Sequence, residues 1–93
     1  MHYVYLLYLS NQTIYTGRTD DLKRRVPEHE RGQVESTKNL RPLKLIHYEA
    51  YMEKQDAIDR EGYLKTGDGR REIRKQLKHV LDILGYNHEY KGR

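Results

Sequence analysis

Residues 1–17 read MHYVYLLYLSNQTIYTG: an apolar and aromatic run over 1–9, a polar Ser10-Asn11-Gln12, then a second β-rich run over 13–16 that stops at Gly17. Branched and aromatic side chains suit a pleated, half-buried surface, and a short polar break between two such runs is a hairpin signal. Side chains alternate along a strand with period two. A loop with an odd number of residues therefore puts Tyr5 and Tyr15 on one face of the hairpin, and an even loop separates them.

After the hairpin, Thr19-Asp20-Asp21 marks a helix start, and the helix is expected over 22–31, ending at Gly32. Leu22 and Val26 form its apolar stripe, with Arg25 and His29 beside them one turn apart. Pro27 removes a backbone donor and should kink or shorten this helix. Residues 33–42 are polar and irregular, with Lys38 and Arg41 expected on the surface, and 43–51 (LKLIHYEAY) is the third strand. A second helix is expected over 53–65, with Ala57, Ile58 and Leu64 on one face.

Glu61 falls inside that apolar arc. At about 100° per residue it lies about 40° from Ala57 and about 60° from both Ile58 and Leu64. A carboxylate on the inner face of a helix is costly unless it is paired, protonated or bound to a cation. Periodicity alone leaves two readings open, a salt bridge to one of the many arginines or a functional carboxylate. Beyond it, Thr66-Gly67-Asp68-Gly69 breaks the helix, with Asp68 the expected cap of a last one. That helix carries Ile73, Leu77, Val80, Leu81 and Leu84 inward, with Arg70, Arg71, Arg74, Lys75 and Lys78 outward. The order strand, strand, helix, strand, helix, helix is an α+β layout, a small sheet covered by helices. Residues 1–84 are expected to form one domain and 85–93 a short polar tail.

The composition agrees with one small domain. A chain of 93 residues and 11.2 kDa leaves no room for a second hydrophobic core. Leu, Ile and Val make about 22% of it, just above the roughly 20% below which a highly charged chain tends to stay disordered. All nine aromatic residues are Tyr, so hydroxyls stand where Phe would otherwise pack. Cysteine is absent, which excludes disulfides and thiolate metal sites and disfavours an oxidising compartment. The absence of a long apolar run and of a signal-like N-terminus leads to the expectation of a soluble, cytoplasmic protein. The formal charge of +4 and pI near 9.3 favour nucleic acid as a partner.

No Gly-rich phosphate loop, zinc-binding His pair or Gly-x-Ser-x-Gly elbow occurs, so NTPase, zinc-hydrolase and serine-hydrolase readings have no motif to stand on. The remaining Tyr, Arg, His and Glu suit phosphodiester cleavage. A metal-bound carboxylate neutralises phosphate charge, an Arg stabilises the transition state, and a Tyr or His handles the proton of water.

Val4-Tyr5, Tyr15-Thr16-Gly17, and Asp21-Leu22-Lys23-Arg24-Arg25-Val26 with His29 resemble the GIY-YIG nuclease superfamily. Ser36-Thr37-Lys38, Arg41-Pro42-Leu43-Lys44-Leu45 with Tyr48-Glu49-Ala50, and Arg60-Glu61 with Leu64-Lys65 resemble its small single-domain branch. The resemblance spans residues 3–80. The first motif reads Tyr3-Val4-Tyr5, without its namesake glycine and isoleucine, as in the small branch. The resemblance implies a three-stranded antiparallel sheet flanked by helices. It makes Tyr5 and Tyr15 the motif tyrosines, Arg25 the catalytic arginine, His29 its partner four residues on, and Glu61 the ligand of Mg²⁺ or Mn²⁺. Larger members also have a downstream Asn; the late Asn87 here is left unassigned.

The resemblance implies a divalent-metal-dependent DNA endonuclease. Single-stranded or branched DNA is the expected substrate, because no recognition domain is appended, and little sequence specificity is expected, because so small a domain has little surface for reading bases. Tyr15 with His29 would take the proton of the attacking water, Tyr5 would orient that water, and Arg25 would stabilise charge. Arg18, Lys38, Arg41, Lys65, Arg70 and Arg71 are the expected nucleic-acid contacts. His2, His47, His79 and His88 read as surface or strand-edge residues. The rival expectations are a non-catalytic nucleic-acid-binding module that keeps the fold, and an inert structural or regulatory domain.

Overall fold

A computed structural model describes residues 1–86. Its elements run β1 (His2–Tyr8), β2 (Ile14–Thr19), α1 (Leu22–Glu30), β3 (Lys44–Tyr51), α2 (Lys54–Leu64), α3 (Gly67–Gln76) and α4 (Lys78–Ile83). The three strands form one antiparallel sheet in the order β2-β1-β3, so β1 is central. The loop between β1 and β2 spans the five residues 9–13, an odd number, and the register pairs Tyr5 with Gly17 and Leu7 with Tyr15. Tyr5 and Tyr15 thus share a face.

Alternation along β1 builds a core on each side of the sheet. Val4 and Leu6 pack with Ala57, Leu64 and Ile73 of α2 and α3, while Tyr5, Leu7 and Leu9 pack with Tyr15, Leu22, Leu40, Leu43 and Leu45 on the α1 side. Both clusters are small, and each depends on the strand between them.

The helix ends follow local chemistry. Asp21 caps α1 by accepting from the Arg24 N–H, and the helix continues through Pro27 to Glu30 rather than breaking there. Pro27 lies in the interior of a nine-residue helix, so it removes only the bond to the Lys23 carbonyl, and the Arg31 N–H still donates to the Pro27 carbonyl. Gly32, at φ +78°, closes α1: its N–H returns to His29 and that of Gln33 to Glu28, a Schellman arrangement.

Two expectations at the C-terminal end are corrected. Thr66, not Asp68, caps α3, its hydroxyl accepting from the Gly69 N–H at 3.0 Å. Asp68 lies in the first turn, where an acidic side chain favours the helix dipole, and it pairs with Arg71. The expected single last helix is two, because the backbone leaves helical geometry at Leu77 (φ −101°, ψ 23°). A straight stripe at i, i+4, i+8 drifts around the helix, and the bend allows both Ile73 and Leu81 to be buried. Of the expected tail, Tyr86 packs edge-on to Tyr8, while 87–93, with Asn87 and His88, lie outside the described residues. Among the described residues no helix is long and apolar enough to cross a membrane.

Candidate active site

Four of the expected site residues meet on the α1 face of the sheet. Tyr5 is 1% exposed, and its hydroxyl lies 2.7 Å from His29 Nε2. The ring centroids of Tyr5 and Tyr15 are 6.3 Å apart, and those of Tyr15 and His29 are 5.2 Å apart. Arg25 stands beside the Tyr5 hydroxyl and donates to Glu28 at 3.0 Å. Arg24, one residue earlier, turns outward to Asp20, Asp21 and Glu28.

Gly17 makes this packing feasible. A Cβ there would come 2.5 Å from the Tyr5 hydroxyl and 2.9 Å from the Tyr15 ring, so only a residue without a side chain lets both rings lie across β2.

Glu61 approaches from the other face. Arg18, paired in register with Val4, points toward α2 and donates from Nε to Glu61 Oε1 at 3.2 Å, and Lys65 Nζ lies 3.1 Å from Oε2. Both carboxylate oxygens are therefore engaged, as the salt-bridge reading anticipated, and the side chain is 21% exposed. Glu61 does not bond to Tyr5, Tyr15, Arg25 or His29, but its charge reaches Tyr5.

Burial pushes the Tyr5 phenol up to about 12, aided by the charges of Tyr15 and Glu61 and opposed by Arg25, so it holds its proton at neutral pH. Burial, reinforced by the charge of Arg25, holds His29 below the usual imidazole range, and Glu28 opposes this only in part. Among the described residues no group of three or more His, Asp or Glu could hold a metal ion. A metal here would depend on Glu61 with water and substrate oxygens.

The expected nucleic-acid contacts divide between the two faces. Lys65, Arg70 and Arg71 line a groove of about 660 Å³ between β2 and α3, together with Tyr15 and Arg74. A smaller depression of about 320 Å³ beside Arg18 and Arg25 also includes His2 and Lys54. Lys38 lies apart from both, paired with Glu35. Arg41 holds the 33–42 loop to α1: its guanidinium donates to the carbonyls of Lys38 and Glu30 and covers Gly32. Of the other histidines, His47 is half-buried beside Glu49 on β3, and His79 is exposed.

Two positions that sequence reasoning quoted without a role prove to be tightly held. Thr37 is fully buried, 2.8 Å from His29 Nδ1. Glu49 receives Arg60, Tyr51 and His47. The available signal for Thr37 was the pair Val34 and Thr37, three apart in an otherwise polar loop.

Residues 1–74 match the family described as the GIY-YIG catalytic domain. A UPF0213 protein of Haloquadratum walsbyi is 38% identical over 77 residues, covering 82% of this chain and 84% of that one. A UPF0213 protein of Staphylococcus aureus is 38% identical over 74 residues, covering 78% and 90%. The solution NMR structure of a UPF0213 protein from Bacillus halodurans superposes with a TM-score of 0.54 at 28% identity, covering 81% of this chain and 83% of that one.

Proposed function

Because the chain belongs to the GIY-YIG family, whose catalytic domain implies nuclease activity on nucleic acid, we propose that it is a divalent-metal-dependent DNA endonuclease with little sequence specificity, acting on single-stranded or branched DNA. The observation that carries this reading is the placement of Tyr5, Tyr15, Arg25 and His29 on one side of Gly17, with Glu61 near enough from the other for its charge to act on Tyr5.

Glu61 is the residue that would hold Mg²⁺ or Mn²⁺. A single, partly exposed carboxylate fits Mg²⁺, which keeps several waters and binds through one or two carboxylates plus substrate phosphates. Such an ion supplies charge neutralisation at the scissile phosphate. Arg18 and Lys65 hold the Glu61 carboxylate in place. Arg25 stabilises the charge that builds up in the transition state. Tyr5 orients the attacking water, and Tyr15, half-buried beside it, takes its proton. The products are a 5′-phosphate and a 3′-hydroxyl.

The groove between β2 and α3 supports a single strand as substrate, since the cations Lys65, Arg70, Arg71 and Arg74 line it beside the edge strand that carries Tyr15. A basic groove that follows the backbone is one way in which single strands are held without base readout. Lys38 and Arg41 would be contacts outside this groove, on the 33–42 loop.

A second reading, a nucleic-acid-binding module without turnover, draws on the engagement of both Glu61 oxygens by cations. The deciding experiment incubates the protein and its Glu61→Gln variant with labelled single-stranded, duplex, hairpin and flap DNA, in Mg²⁺, Mn²⁺ or chelator. Metal-dependent cleavage by the wild type alone, with DNA affinity nearly equal in the two proteins, is the expected result. Binding without cleavage under every condition supports the second reading, and cleavage that survives Glu61→Gln removes Glu61 from the mechanism.

A further inference from the structure

The edge strand β2 borders two basic hollows, one after the other. Its residues 14–16 line the groove shared with α3, while Arg18 and Thr19 line the depression of about 320 Å³ at its far end, with Gly17 between. Glu61 stands where the two meet. Its Oε2 is held by Lys65, from the wall of the groove, and its Oε1 by Arg18, from the wall of the depression. A carboxylate that receives one cation from each hollow lies on the divide between them.

The depression forms where β1 begins and β2 and β3 end. Tyr3 pairs in register with Thr19 and His2 with Tyr51, and α2 opens with Lys54 three residues after Tyr51. The basic side chains on its wall do not have equal claims on a ligand. Arg24 is turned to Asp20, Asp21 and Glu28, and Arg25 donates to Glu28. The bond from Arg18 to Glu61 uses Nε, and the two Nη nitrogens of a guanidinium carry four further N–H donors. Lys54 is exposed, and among the described residues its side chain has no ion pair or hydrogen bond, nor has that of His2. Lys54 also lies at the end of α2 where the helix dipole disfavours a cation. A cation kept there without a counter-ion is a local cost that an anion in the depression removes.

We propose that the depression is a second phosphate-binding subsite, in which Lys54, His2 and the Nη groups of Arg18 hold a backbone phosphate of the substrate strand on the far side of Glu61 from the α3 groove. The strand runs beside β2 and crosses the divide at Glu61, so that cleavage there leaves one fragment in the groove and the other in the depression. Lys54 and His2 hold a phosphate away from the reacting atoms, and such contacts strengthen the ground state and the transition state equally. The position of the cut rests on the nuclease reading; the phosphate subsite does not.

The test separates the two. The full chain, its variants Lys54→Gln and Arg70→Gln, the double variant and the control Lys44→Gln are titrated in chelator with a fluorescent oligodeoxythymidylate of about 12 nucleotides over a range of salt concentrations. The same proteins are assayed for cleavage in Mg²⁺. Lys44 is exposed at the start of β3 and lines neither hollow, so its variant removes the same charge elsewhere. Lys54→Gln should raise Kd about fivefold and lower the salt slope by about 0.7, while Lys44→Gln stays within about twofold of wild type. The losses in Lys54→Gln and Arg70→Gln should multiply in the double variant, because one strand occupies both hollows. In cleavage by Lys54→Gln, KM should rise with Kd and kcat stay within about twofold. Wild-type affinity in Lys54→Gln overturns the proposal, and so does a loss no greater than that of Lys44→Gln, or a double variant no weaker than the weaker single one. Absence of cleavage in every sample refutes the nuclease reading instead, while the affinities in chelator still decide the subsite.

Discussion

Glu49 on β3 receives both Nε and Nη2 of Arg60 on α2, at 2.9 and 3.1 Å, in a two-pronged ion pair that ties the helix to the sheet one residue before Glu61. The same carboxylate accepts from Tyr51 at 2.6 Å and lies 3.0 Å from His47 Nε2. Planar guanidinium on carboxylate restricts rotation as well as distance, so this pair sets how α2 lies on the sheet and hence where Glu61 emerges.

This pair gives the fold an acid limit. Burial alone would raise the Glu49 carboxyl, but the bonds from Arg60, Tyr51 and His47 outweigh it and hold the group at about 2, below the 4.5 of a free glutamate. A depressed carboxyl contributes stability that is fully present above about pH 4.5 and is lost as pH falls toward 2. The contribution is on the order of 3 kcal/mol at most. Urea unfolding at pH 6 and pH 3 should show the loss in the wild type and a much flatter pH dependence in Glu49→Gln. An equal slope in both proteins would place the acid sensitivity elsewhere.

Arg25 and Arg24 should differ sharply in cleavage. Arg25 stands beside Tyr5, while Arg24 faces solvent among exposed or partly exposed carboxylates. Removing a single charge-stabilising donor typically lowers a rate by about 10² to 10³. Arg25→Ala is expected to fall in that range with the fold retained. Arg24→Ala, which removes only surface pairs worth under about 1 kcal/mol, should stay within about threefold of wild type. Equal losses would show that the two side chains exchange roles on substrate binding.

Gly17→Ala tests the gap under the two tyrosines. Its Cβ would meet the Tyr5 hydroxyl at 2.5 Å, and Tyr5 cannot retreat because His29 and the core lie behind it. Overpacking of this kind costs about 1 to 3 kcal/mol. Thermal unfolding should show a lowered midpoint, and Tyr5 should lose its contact with His29 in nuclear Overhauser spectra. Wild-type stability with the contact intact would mean that the rings have room the structure does not show.

The fold was legible where periodicity speaks. Alternation in 1–17 and the polar break between the two runs placed the hairpin, and the sheet-and-helix order followed from the same patterns, but the common face of Tyr5 and Tyr15 hung on the loop length, which is five residues. The two departures at the C-terminal end are local. Thr66 and Asp68 both suit a helix cap, and only the backbone shows that Thr66 has the extended geometry while Asp68 is already inside. No Pro or Gly marks the bend at Leu77, where tertiary packing decides.

The site was legible as a set of residue types and less so as a geometry. The resemblance pointed to Arg25 and His29, and Pro27 cast doubt on their common orientation, but a short helix absorbs one missing bond. Glu61 was recognisable from its position in an apolar arc, yet its partners Arg18 and Lys65 were not, because a basic chain provides many arginines and lysines at equal prior. Thr37 was hidden for a different reason. Its spacing of three from Val34 is a weak mark for a polar side chain in a polar loop, and its burial follows from the closure of the 33–42 segment onto α1 through Gly32 and Arg41.

With its candidate site residues split between two faces of the sheet, the protein is divisible in evolutionary terms. Exchanges on α1 and the following loop can retune the phenol and imidazole half, and exchanges on α2 and α3 can retune the carboxylate half and the strand path, without either altering the other's packing. The partition between them is β1, in contact with both neighbours along its length. Descendants of such a chain can diversify in substrate by altering one side at a time, provided that this strand and the gap at Gly17 are kept.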